Sequence, residues 1–413
     1  MHIVQVSKAN RAGGGASNVA EALHRGLSDR NIRSTHYARH PGQGAGSALP
    51  LGWPGFPLRQ AERALQSLSR AAGMPYLIPA EYPLLQRLAG AGDTVFHFHD
   101  LSGAISPLTL QLLARRAPVV WSLHDCSPIT GGCLYPMDCA RYLQHCGSCP
   151  QRGSWPLNTL RDGTRQMRAL HWRIHRERTI RYVSPSRWLA SVVRGCGAID
   201  EVTVIPNGVD IEQFRPAPQR QQLRARLGIP GHRPAVLITA SLLMDRRKGA
   251  REALQVLKLL PAASRPFVML VGHTRAQDLT PFDGFDCRHF GYIDDGQQLS
   301  AIYAAADAFL NCTLADNFPL SVLESLACGT PVLGFRTGGL PEVIDDGCGA
   351  LVEQGDVGGL AALLHRFLLG EIGRDWRHAA RDRAVAHFSL QRQIDAHLAL
   401  YRSVQRPQAA RIA

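Results

Sequence analysis

The chain has 413 residues, 45% hydrophobic and 19% charged, and 46 Lys and Arg against 33 Asp and Glu give it a formal net charge of +13. This composition is typical of a globular protein of two or three domains, and it excludes a disordered chain, a collagen-like chain and a small disulfide-stapled domain. The first residues lack the features of a secretory signal, and no apolar run approaches the ~20 residues of a membrane helix. We therefore expect a cytoplasmic protein whose basic surface favours anionic partners. Lysines are rare among the basic residues and occur only at Lys8, Lys248 and Lys258.

The first predicted elements are a strand, a glycine-rich loop and a helix. Ile3–Val6 is a β-branched run, Gly13, Gly14 and Gly15 follow it, and apolar residues then recur at helical spacing through residues 19–27. Three glycines let the backbone approach a ligand closely, and the helix start directs N–H groups at negative charge. A plain strand-to-helix turn has the same pattern. The loop lacks the G-x-G-x-x-G fingerprint, which disfavours an NAD enzyme.

Two further buried strands are predicted at Thr94–Phe98 and Pro118–Leu123. Each is followed by a His-Asp pair, at residues 99–100 and 124–125. Polar residues beyond the carboxyl ends of parallel strands are where open α/β sheets bind ligands, so His124 is a candidate site residue. For His99 a plain loop histidine is an equal alternative.

The remainder of the chain indicates a second α/β domain. Residues 41–57 are rich in Gly and Pro and predict a long surface loop, Tyr182–Ser186 is predicted as the last strand of the first domain, and Val202–Ile205 with the following Pro206–Asp210 is predicted as a linker. The β/α rhythm then restarts. Strands are predicted at 235–240, 267–272, 308–311 and 331–335, and helices at 250–260 and 320–327.

The predicted fold class is therefore α/β, with two doubly wound Rossmann-like domains that face a central cleft. We assign residues 1–205 to an N-terminal domain and residues 206–388 to a C-terminal domain. Residues 389–413 are expected to form a helix, around Ser389–Tyr401, that returns to the first domain, followed by a frayed polar tail.

A basic motif follows the first strand of the second domain. It reads Asp245-Arg246-Arg247-Lys248-Gly249. Arginine grips oxygen atoms bidentately and lysine acts as a mobile point charge, so this cluster suits a diphosphate. A solvated helix start is the plain alternative, but one of only three lysines falls here, which favours a functional role.

An acidic motif extends from Asp316 to Val332. Pro319 is a residue favoured at a helix start, so Glu324 is predicted to lie on a helix and Asp316 in the loop before it. From a loop and a helix, the two carboxylates can point into one cleft and hydrogen-bond sugar hydroxyls.

In this order, the motifs resemble those of the retaining glycosyltransferases of family 4, whose two-domain architecture is called GT-B. The resemblance rests on the glycine loop and on Val183-Ser184-Pro185-Ser186, Pro206-Asn207-Gly208-Val209-Asp210, Arg247-Lys248-Gly249 and Asp316 through Val332. The stretch from His124 to Cys133, His-Asp-x-x-Pro-x-Thr-Gly-Gly-Cys, is similar to enzymes of exopolysaccharide and lipopolysaccharide synthesis.

The resemblance implies roles for both domains and for particular residues. The N-terminal domain, residues 1–205 with a Cys-rich insertion at 126–150, would bind the acceptor, and the C-terminal domain, residues 206–388, would bind the nucleotide sugar. The family's E-x7-E pair is Asp316 and Glu324 here; Glu324 would hold the donor's ribose, and His124 and Asp316 would be the catalytic residues beside the transferred sugar. The donor-binding residues it implies are Arg247, Lys248, Asn317, Phe318, Pro319, Leu320 and Glu324. The place of a family arginine is Leu242 here, so Arg246 or Arg247 is expected to supply the second cation.

The resemblance also implies a reaction. A sugar passes with retained configuration from a nucleoside-diphosphate sugar of the UDP or GDP type to a lipid-linked or oligosaccharide acceptor, in bacterial surface polysaccharide synthesis, and the transfer requires no cofactor. A nucleotide-sugar hydrolase or epimerase on the same fold is an alternative. A basic nucleic-acid-binding protein is a second one, disfavoured because the positive charge is spread through both domains without a recognisable nucleic-acid module.

Half of the ten cysteines lie within residues 126–149. Cys133, Cys139, Cys146 and Cys149 supply four thiolates, which is enough for a closed tetrahedral structural zinc site beside His124. Disulfides and unligated thiols stay alternatives, because only the last pair has the spacing of a zinc ribbon.

An arginine-rich segment, Arg161–Arg181, follows the cysteines. Leu160, Met167, Leu170 and Ile174 form an apolar line through it. The segment suits an anionic inner-membrane surface, where lipid-linked acceptors reside, or an ordinary helix that packs on the sheet. His171 and His175 with the last two cysteines imitate a zinc finger, which we reject because 21 residues separate the pairs.

Overall fold

The computed structural model describes residues 1–10, 13–42, 48–53, 55–90, 92–243, 245–275 and 279–405. It divides into two compact units. The first unit is Met1–Pro206 together with the chain from Gln393 onward, and the second unit is Asn207–Arg392. These boundaries differ from the predicted ones by one residue at Pro206 and by four at Arg392. The predicted tail after Gln405 lies outside the described residues.

The first unit is built on a parallel sheet. Its strands are β1 (His2–Ala9), β2 (Ser34–His40), β3 (Leu49–Pro50), β4 (Thr94–Phe98), β5 (Val119–Ser122), β6 (Ile180–Ser184) and β7 (Val202–Val204). They lie in the order β3-β2-β1-β4-β5-β6-β7, and each neighbouring pair is parallel. The strand order reverses between β1 and β4. This is the switch point at which a doubly wound sheet binds its ligands, beyond the carboxyl ends of the strands.

Helices connect these strands. They are α1 (Gly15–Ser28), α2 (Phe56–Ala71), α3 (Tyr82–Ala89), α4 (Pro107–Ala114), α5 (Thr164–Arg176) and α6 (Arg187–Gly195). Two of them begin at a serine cap, as helix starts commonly do: the Ser106 hydroxyl accepts from the Leu108 N–H at 3.2 Å, and the Ser186 hydroxyl accepts from the Leu189 N–H at 3.0 Å.

The second unit repeats the plan. Its strands are β8 (Ala235–Leu242), β9 (Phe267–His273), β10 (Cys287–His289), β11 (Ala308–Asn311), β12 (Val332–Arg336) and β13 (Gly349–Glu353), in the order β10-β9-β8-β11-β12-β13. Its helices are α7 (Arg220–Arg226), α8 (Ala250–Leu259), α9 (Gly296–Ala305), α10 (Leu320–Ala327), α11 (Leu340–Val343), α12 (Val357–Leu368) and α13 (Trp376–His387). The last helix, α14 (Leu390–Gln405), begins in the second unit and continues into the first. The switch point of this sheet lies between β8 and β11.

Strand β8 shows why the second sheet is buried on both faces. Ala235 and Leu237 pack into one hydrophobic cluster, and the alternating Val236 and Ile238 pack into another. A strand covered by helices on both faces reads as a continuous apolar run rather than an alternating one, which is why β8 could be predicted from the sequence.

Two predictions about connections are wrong. Val202–Val204 is not a linker, since it pairs in parallel with β6 as the edge strand β7 of the first sheet. Residues 41–57 are not one long loop, since β3 forms at Leu49–Pro50 and α2 begins at Phe56; residues 43–47 and 54 lie outside the described residues. Among the described helices, none combines the length and the apolar character needed to cross a membrane.

Candidate functional site

The switch point of the second unit brings the basic and acidic motifs together. Lys248 follows β8 and Asp316 follows β11, and the Lys248 ammonium lies 2.5 Å from an Asp316 carboxylate oxygen. The two side chains are 24% and 14% exposed. The structure therefore joins two of the sequence-predicted residues in one partly buried ion pair, beyond the carboxyl ends of the two central strands.

The backbone around Lys248 is held tightly. Gly249 has φ 71°, and a Cβ at this position would lie 1.8 Å from the Cys312 carbonyl oxygen at the end of β11. Only glycine permits this close approach. On the other side, the Asp245 carboxylate accepts from the Arg247 backbone N–H at 3.0 Å and from its guanidinium at 2.8 Å. Arg247 is therefore positioned beside Lys248 with part of its charge neutralised.

The predicted donor-binding residues after Asp316 form a fixed loop. The Asn317 N–H donates to the Asp316 carboxylate at 2.9 Å, and the Asn317 carbonyl accepts from the Gly339 N–H at 2.9 Å. The Phe318 carbonyl accepts from the Asn207 amide at 3.0 Å, and its ring packs in the core of the unit. The side chain of Phe318 thus holds the loop in place. Pro319 is buried and Leu320 half-buried at the start of α10.

Glu324 lies on α10, as predicted, and has a partner that the sequence did not indicate. The Tyr303 hydroxyl donates to the Glu324 carboxylate and accepts from the hydroxyl of Thr239 on β8. Burial raises the pKa of Glu324 to about 7, and the Tyr303 hydrogen bond opposes this shift only in part. Near neutral pH this carboxyl therefore exists in both protonation states.

Two aromatic residues near Glu324 were also not predicted. The rings of His273 and Tyr292 stack with centroids 4.2 Å apart and planes 8° apart, and Tyr292 is partly exposed. The negative charge of Glu324 is among the causes that raise the pKa of Tyr292, after burial and Asp294. No local pattern marks these residues, because His273 ends one strand and Tyr292 follows the next.

The switch point of the first unit carries a second ion pair between lysine and aspartate. Lys8 lies on β1 and Asp100 follows β4, and the ammonium lies 2.9 Å from the carboxylate. The same ammonium lies 4.3 Å from the centre of the Trp155 ring. In each unit, then, one of the rare lysines is paired across the switch point, whereas Lys258 lies in the last turn of α8.

The glycine loop lies at the same end of the first sheet. Gly14 has φ 90° and precedes the first residue of α1, and no described side chain caps this helix. A Cβ at Gly14 or Gly15 would meet no described atom within 4 Å, whereas one at Gly13 would lie 2.4 Å from the Ser17 hydroxyl. Gly13 thus permits tight packing, and Gly14 and Gly15 leave open space at a helix start that suits an anion.

His124 and Asp125 follow β5. The His124 Nε2 atom lies 3.1 Å from Nδ1 of the buried His99. Burial lowers the pKa of His124 to about 4, against an opposing effect of the Asp100 carboxylate, so the imidazole is neutral at neutral pH. Burial, and then the negative charge of Asp100, raises the pKa of Asp125, which accepts from the Ser127 N–H at 2.7 Å.

The two histidines of α5 have a structural role. The His171 ring hydrogen-bonds the Thr130 carbonyl at 3.1 Å, and the His175 ring hydrogen-bonds the Pro128 carbonyl at 2.8 Å. Burial lowers the pKa of both, to about 4 for His171 and about 3 for His175, so both are neutral donors. They hold the segment that follows His124, in agreement with the rejection of a zinc finger.

The four cysteines proposed as zinc ligands line one small cavity. Its volume is about 20 Å³, and Cys133, Cys139, Cys146 and Cys149 all contribute to its wall. The Gly131 N–H donates to the Cys146 sulfur at 3.2 Å. None of the ten cysteines forms a disulfide. Within the described ranges, however, no three His, Cys, Asp or Glu side chains are arranged to hold a metal ion, so zinc at this cavity stays a prediction.

Helix α5 uses its apolar line for packing. Met167 and Ile174 are buried, whereas Leu160 precedes the helix and is 82% exposed. The apolar face is thus covered by the unit itself, which favours the ordinary packed helix of the two alternatives. Its outward face is basic, with exposed Arg165, Arg173 and Arg176.

Comparison with known proteins gives matches over both units. The family model described as "Glycosyltransferase Family 4" matches residues 13–213, and the model described as "Glycosyl transferases group 1" matches residues 233–369. A D-inositol 3-phosphate glycosyltransferase of Saccharomonospora viridis is 35% identical over 224 residues, which are 50% of this chain and 51% of that protein. The putative colanic acid biosynthesis glycosyl transferase WcaC of Escherichia coli K12 is 24% identical over 280 residues, 65% of this chain and 66% of that protein.

Among solved structures, Anabaena HepE in complex with UDP-glucose matches with a TM-score of 0.65 at 17% identity, covering 98% of this chain and 100% of that chain. This likeness shows the fold. The chain spans about two fifths to two thirds of the length of the curated relatives it matches.

Proposed function

We propose that this member of glycosyltransferase family 4, which has the GT-B fold, is a sugar transferase. It transfers a sugar from a nucleoside-diphosphate sugar to a hydroxyl group of a lipid-linked or oligosaccharide acceptor. Both family models describe glycosyltransferases, and together they match most of the chain. The donor class is supported by HepE, whose structure contains UDP-glucose.

The observation that carries this proposal is the Lys248–Asp316 ion pair at the switch point of the second unit. A donor diphosphate brings two negative charges to the ammonium and competes with the single charge of Asp316. Arg247 lies beside Lys248 in the sequence. Helix α10 begins just after the loop that carries Asp316, so we expect its first N–H groups to contribute a positive potential to the diphosphate site. These groups stabilise the diphosphate that departs in the transition state, where its charge is largest.

Glu324 is proposed to hold the ribose of the donor. An ionised carboxylate accepts hydrogen bonds from both hydroxyls of a ribose, and Tyr303 keeps the carboxylate in place. The stacked pair of His273 and Tyr292 offers a partly exposed aromatic surface near Glu324 against which a nucleobase can stack.

The proposed reaction retains the configuration of the sugar. The bond between the anomeric carbon and the diphosphate oxygen breaks, and the acceptor hydroxyl bonds to that carbon on the face from which the diphosphate leaves. The hydroxyl proton passes to the departing diphosphate. Asp316, released from Lys248 when the diphosphate binds, is proposed to hydrogen-bond the sugar, and neutral His124 is proposed to bind a sugar hydroxyl.

The printed names of two relatives support the proposed acceptor classes. WcaC is named as a putative glycosyl transferase of colanic acid biosynthesis, which supports a role in bacterial surface polysaccharide synthesis. The basic outer face of α5 is compatible with contact at the inner face of the cytoplasmic membrane, where a lipid-linked acceptor resides. The name of the 35% identical relative makes a phosphorylated inositol a second acceptor to test.

The test begins with the donor. Thermal shift with a panel of UDP-, GDP- and ADP-sugars identifies the donor that raises the melting temperature, and release of nucleoside diphosphate is then measured with and without polyprenyl-linked oligosaccharide or inositol phosphate. We expect acceptor-dependent release and an anomeric proton signal of unchanged configuration in the product. Release at the same rate without any acceptor would indicate a hydrolase, and no stabilisation by any nucleotide sugar would overturn the assignment.

Lys248→Met supplies the matched loss-of-function variant. It removes the ammonium without adding charge, and donor-induced stabilisation should disappear. Lys258→Met is the control, because that lysine lies in the last turn of α8 and contributes no group to the site.

A further inference from the structure

A basic cavity lies between the cysteine-rich segment, residues 126–150, and α5 of the first unit. Its volume is about 900 Å³, and Arg141, Arg152 and Arg165 line it together with His145 and Asp162. A cavity of this size is large enough for a small ligand. None of its described lining residues belongs to the switch point of either sheet. The proposed transfer reaction thus gives this cavity no role.

The charges around the cavity do not cancel. Among its described lining residues, three arginines carry permanent positive charges, and Asp162 is the one carboxylate, which leaves a net charge of +2. The Asp162 carboxylate already accepts hydrogen bonds from the Cys149 N–H at 2.7 Å and from the N–H and hydroxyl of Thr164 at 3.0 and 2.6 Å. This carboxylate is therefore held by the backbone and by Thr164 rather than by the arginines.

The turn at Gly147 places two of these arginines close together. The Arg141 guanidinium donates to the Gly147 carbonyl at 3.1 Å. A Cβ at Gly147 would lie 3.7 Å from the Nε atom of Arg165, so the Arg165 side chain passes close to the same turn. Arg168 donates to the Tyr142 carbonyl at 2.6 Å, which ties this segment to α5. The wall of the cavity is therefore fixed by hydrogen bonds within the first unit.

The guanidinium groups of Arg152 and Arg165 are available to a ligand. In the part of the chain that the structure describes, neither group donates to a carboxylate or a carbonyl. A guanidinium binds phosphate oxygen atoms through two parallel N–H groups. A carboxylate would neutralise only half of the net charge of the wall, whereas a phosphate monoester or a diphosphate carries about two negative charges at neutral pH.

We propose that this cavity is a binding site for a phosphate monoester or a diphosphate group. Arg152 and Arg165 bind the phosphate oxygen atoms, and Arg141 fixes the turn beside them. The group comes either from a lipid headgroup or from a phosphorylated compound in solution. This site is separate from the proposed donor site, whose residues lie in the second unit.

Two double variants form a matched pair for the test. Arg152→Met with Arg165→Met removes two positive charges from the cavity, whereas Arg173→Met with Arg176→Met removes two charges from α5 residues that do not line it. All four side chains are exposed, so we expect both variants to keep the fold and the melting temperature of the wild type. The affinity for the donor should also be unchanged in both variants, so failure of the proposed transfer would leave this test unaffected.

The probe is inorganic pyrophosphate, and the first readout is specific to individual arginines. In the wild type, we expect pyrophosphate to slow the reaction of Arg152 and Arg165 with phenylglyoxal, measured by mass spectrometry of peptides, but not that of Arg173 and Arg176. In isothermal titration, the cavity variant should bind pyrophosphate at this site about 10- to 100-fold more weakly, and the control should match the wild type. Equal protection of all four arginines, or equal affinities of the two double variants, would overturn the proposal.

Vesicles then identify the source of the phosphate. Flotation is compared for vesicles of phosphatidylcholine alone, with phosphatidylglycerol and with a polyprenyl diphosphate. Flotation that needs one of the two anionic lipids and is lost only in the cavity variant assigns the site to that headgroup. Equal flotation of both double variants, with the protection by pyrophosphate intact, assigns the site to a phosphorylated compound in solution. Loss of flotation to the same extent in both variants, without protection of Arg152 and Arg165, would reduce the site to general surface charge and overturn the proposal.

Discussion

Donor binding should depend on pH through Glu324. Burial raises the pKa of this carboxyl to about 7, and only its ionised form offers two charged acceptor oxygens to the hydroxyls of a ribose. A carboxyl of pKa 7 is ionised to about one tenth at pH 6 and about nine tenths at pH 8. As the pH rises through 7, the ionised form of Glu324 that binds the donor accumulates. The Kd for the donor should therefore fall about tenfold between pH 6 and pH 8.

The assay is isothermal titration with the intact nucleotide sugar at half-unit pH intervals from 6 to 8. A nucleotide sugar is preferable to the free nucleoside diphosphate because a terminal phosphate titrates near pH 6 and would superimpose its own slope. Glu324→Gln should bind about 10- to 100-fold more weakly than the wild type at pH 8, because hydrogen bonds to a charged group contribute about 1.5–3 kcal/mol. Its affinity should not change with pH.

Glu371→Gln serves as the control, since that carboxylate is paired with Arg366 at the surface. It should reproduce the wild-type curve. A wild-type affinity that stays constant from pH 6 to pH 8, or a slope that persists in Glu324→Gln, would contradict the role of Glu324, because either result assigns the ribose contact or the titration to another group.

Three further predictions concern the switch point and its supports. In a double-mutant cycle, the single variant Lys248→Met should weaken donor binding more than the double variant that also carries Asp316→Asn, because the single change leaves an unpaired carboxylate beside the diphosphate. Additive effects of the two substitutions on the Kd for the donor would contradict the ion pair. The double substitution Cys146→Ser and Cys149→Ser should lower the melting temperature, and substitution of the exposed cysteine, Cys287→Ser, is the control. The zinc prediction requires about one zinc per chain in elemental analysis of the wild type, and a protein without zinc would exclude that prediction. Gly249→Ala should lower the free energy of unfolding in urea by about 3 kcal/mol, since the new Cβ would meet the Cys312 carbonyl. Gly355→Ala is the control: its φ is 84° but the space around it is open, so it should lower the free energy of unfolding by only about 1 kcal/mol. Equal losses in the two variants would show that the contact at Gly249 is unimportant.

Much of the fold could be predicted because parallel strands and the helices that cover them are apolar. The predicted bounds of Thr94–Phe98, 308–311 and 320–327 agree with β4, β11 and α10. Strand β2 could not be predicted, since Ser34–His40 has no apolar run and depends on pairing with β1. The three-residue β7 resembles a linker for the same reason: its strand character comes from its neighbour.

The residues of the candidate site could also be predicted only in part. Lys248, Asp316 and Glu324 lie in local motifs, so their residue types and positions could be predicted. Their partners could not, because Tyr303 and Thr239 reach Glu324 from other elements and Lys8 pairs with Asp100 across the sheet. The buried Gln5 likewise gives no signal in the sequence, since the His99 ring that hydrogen-bonds its amide oxygen at 2.8 Å lies 94 residues away.

We expect the lysine–aspartate pair at each switch point to favour divalent over monovalent anions. Lys248 and Lys8 are each paired with an aspartate, which neutralises the charge of the ammonium. A monovalent anion replaces one negative charge by another and gains little, whereas a divalent group gains the attraction that the carboxylate lacked. Chloride and acetate should therefore be poor competitors of the donor, and pyrophosphate should be an effective one. Two of the three lysines in this chain thus lie where we expect a divalent anion, but not a monovalent one, to gain by displacing a carboxylate.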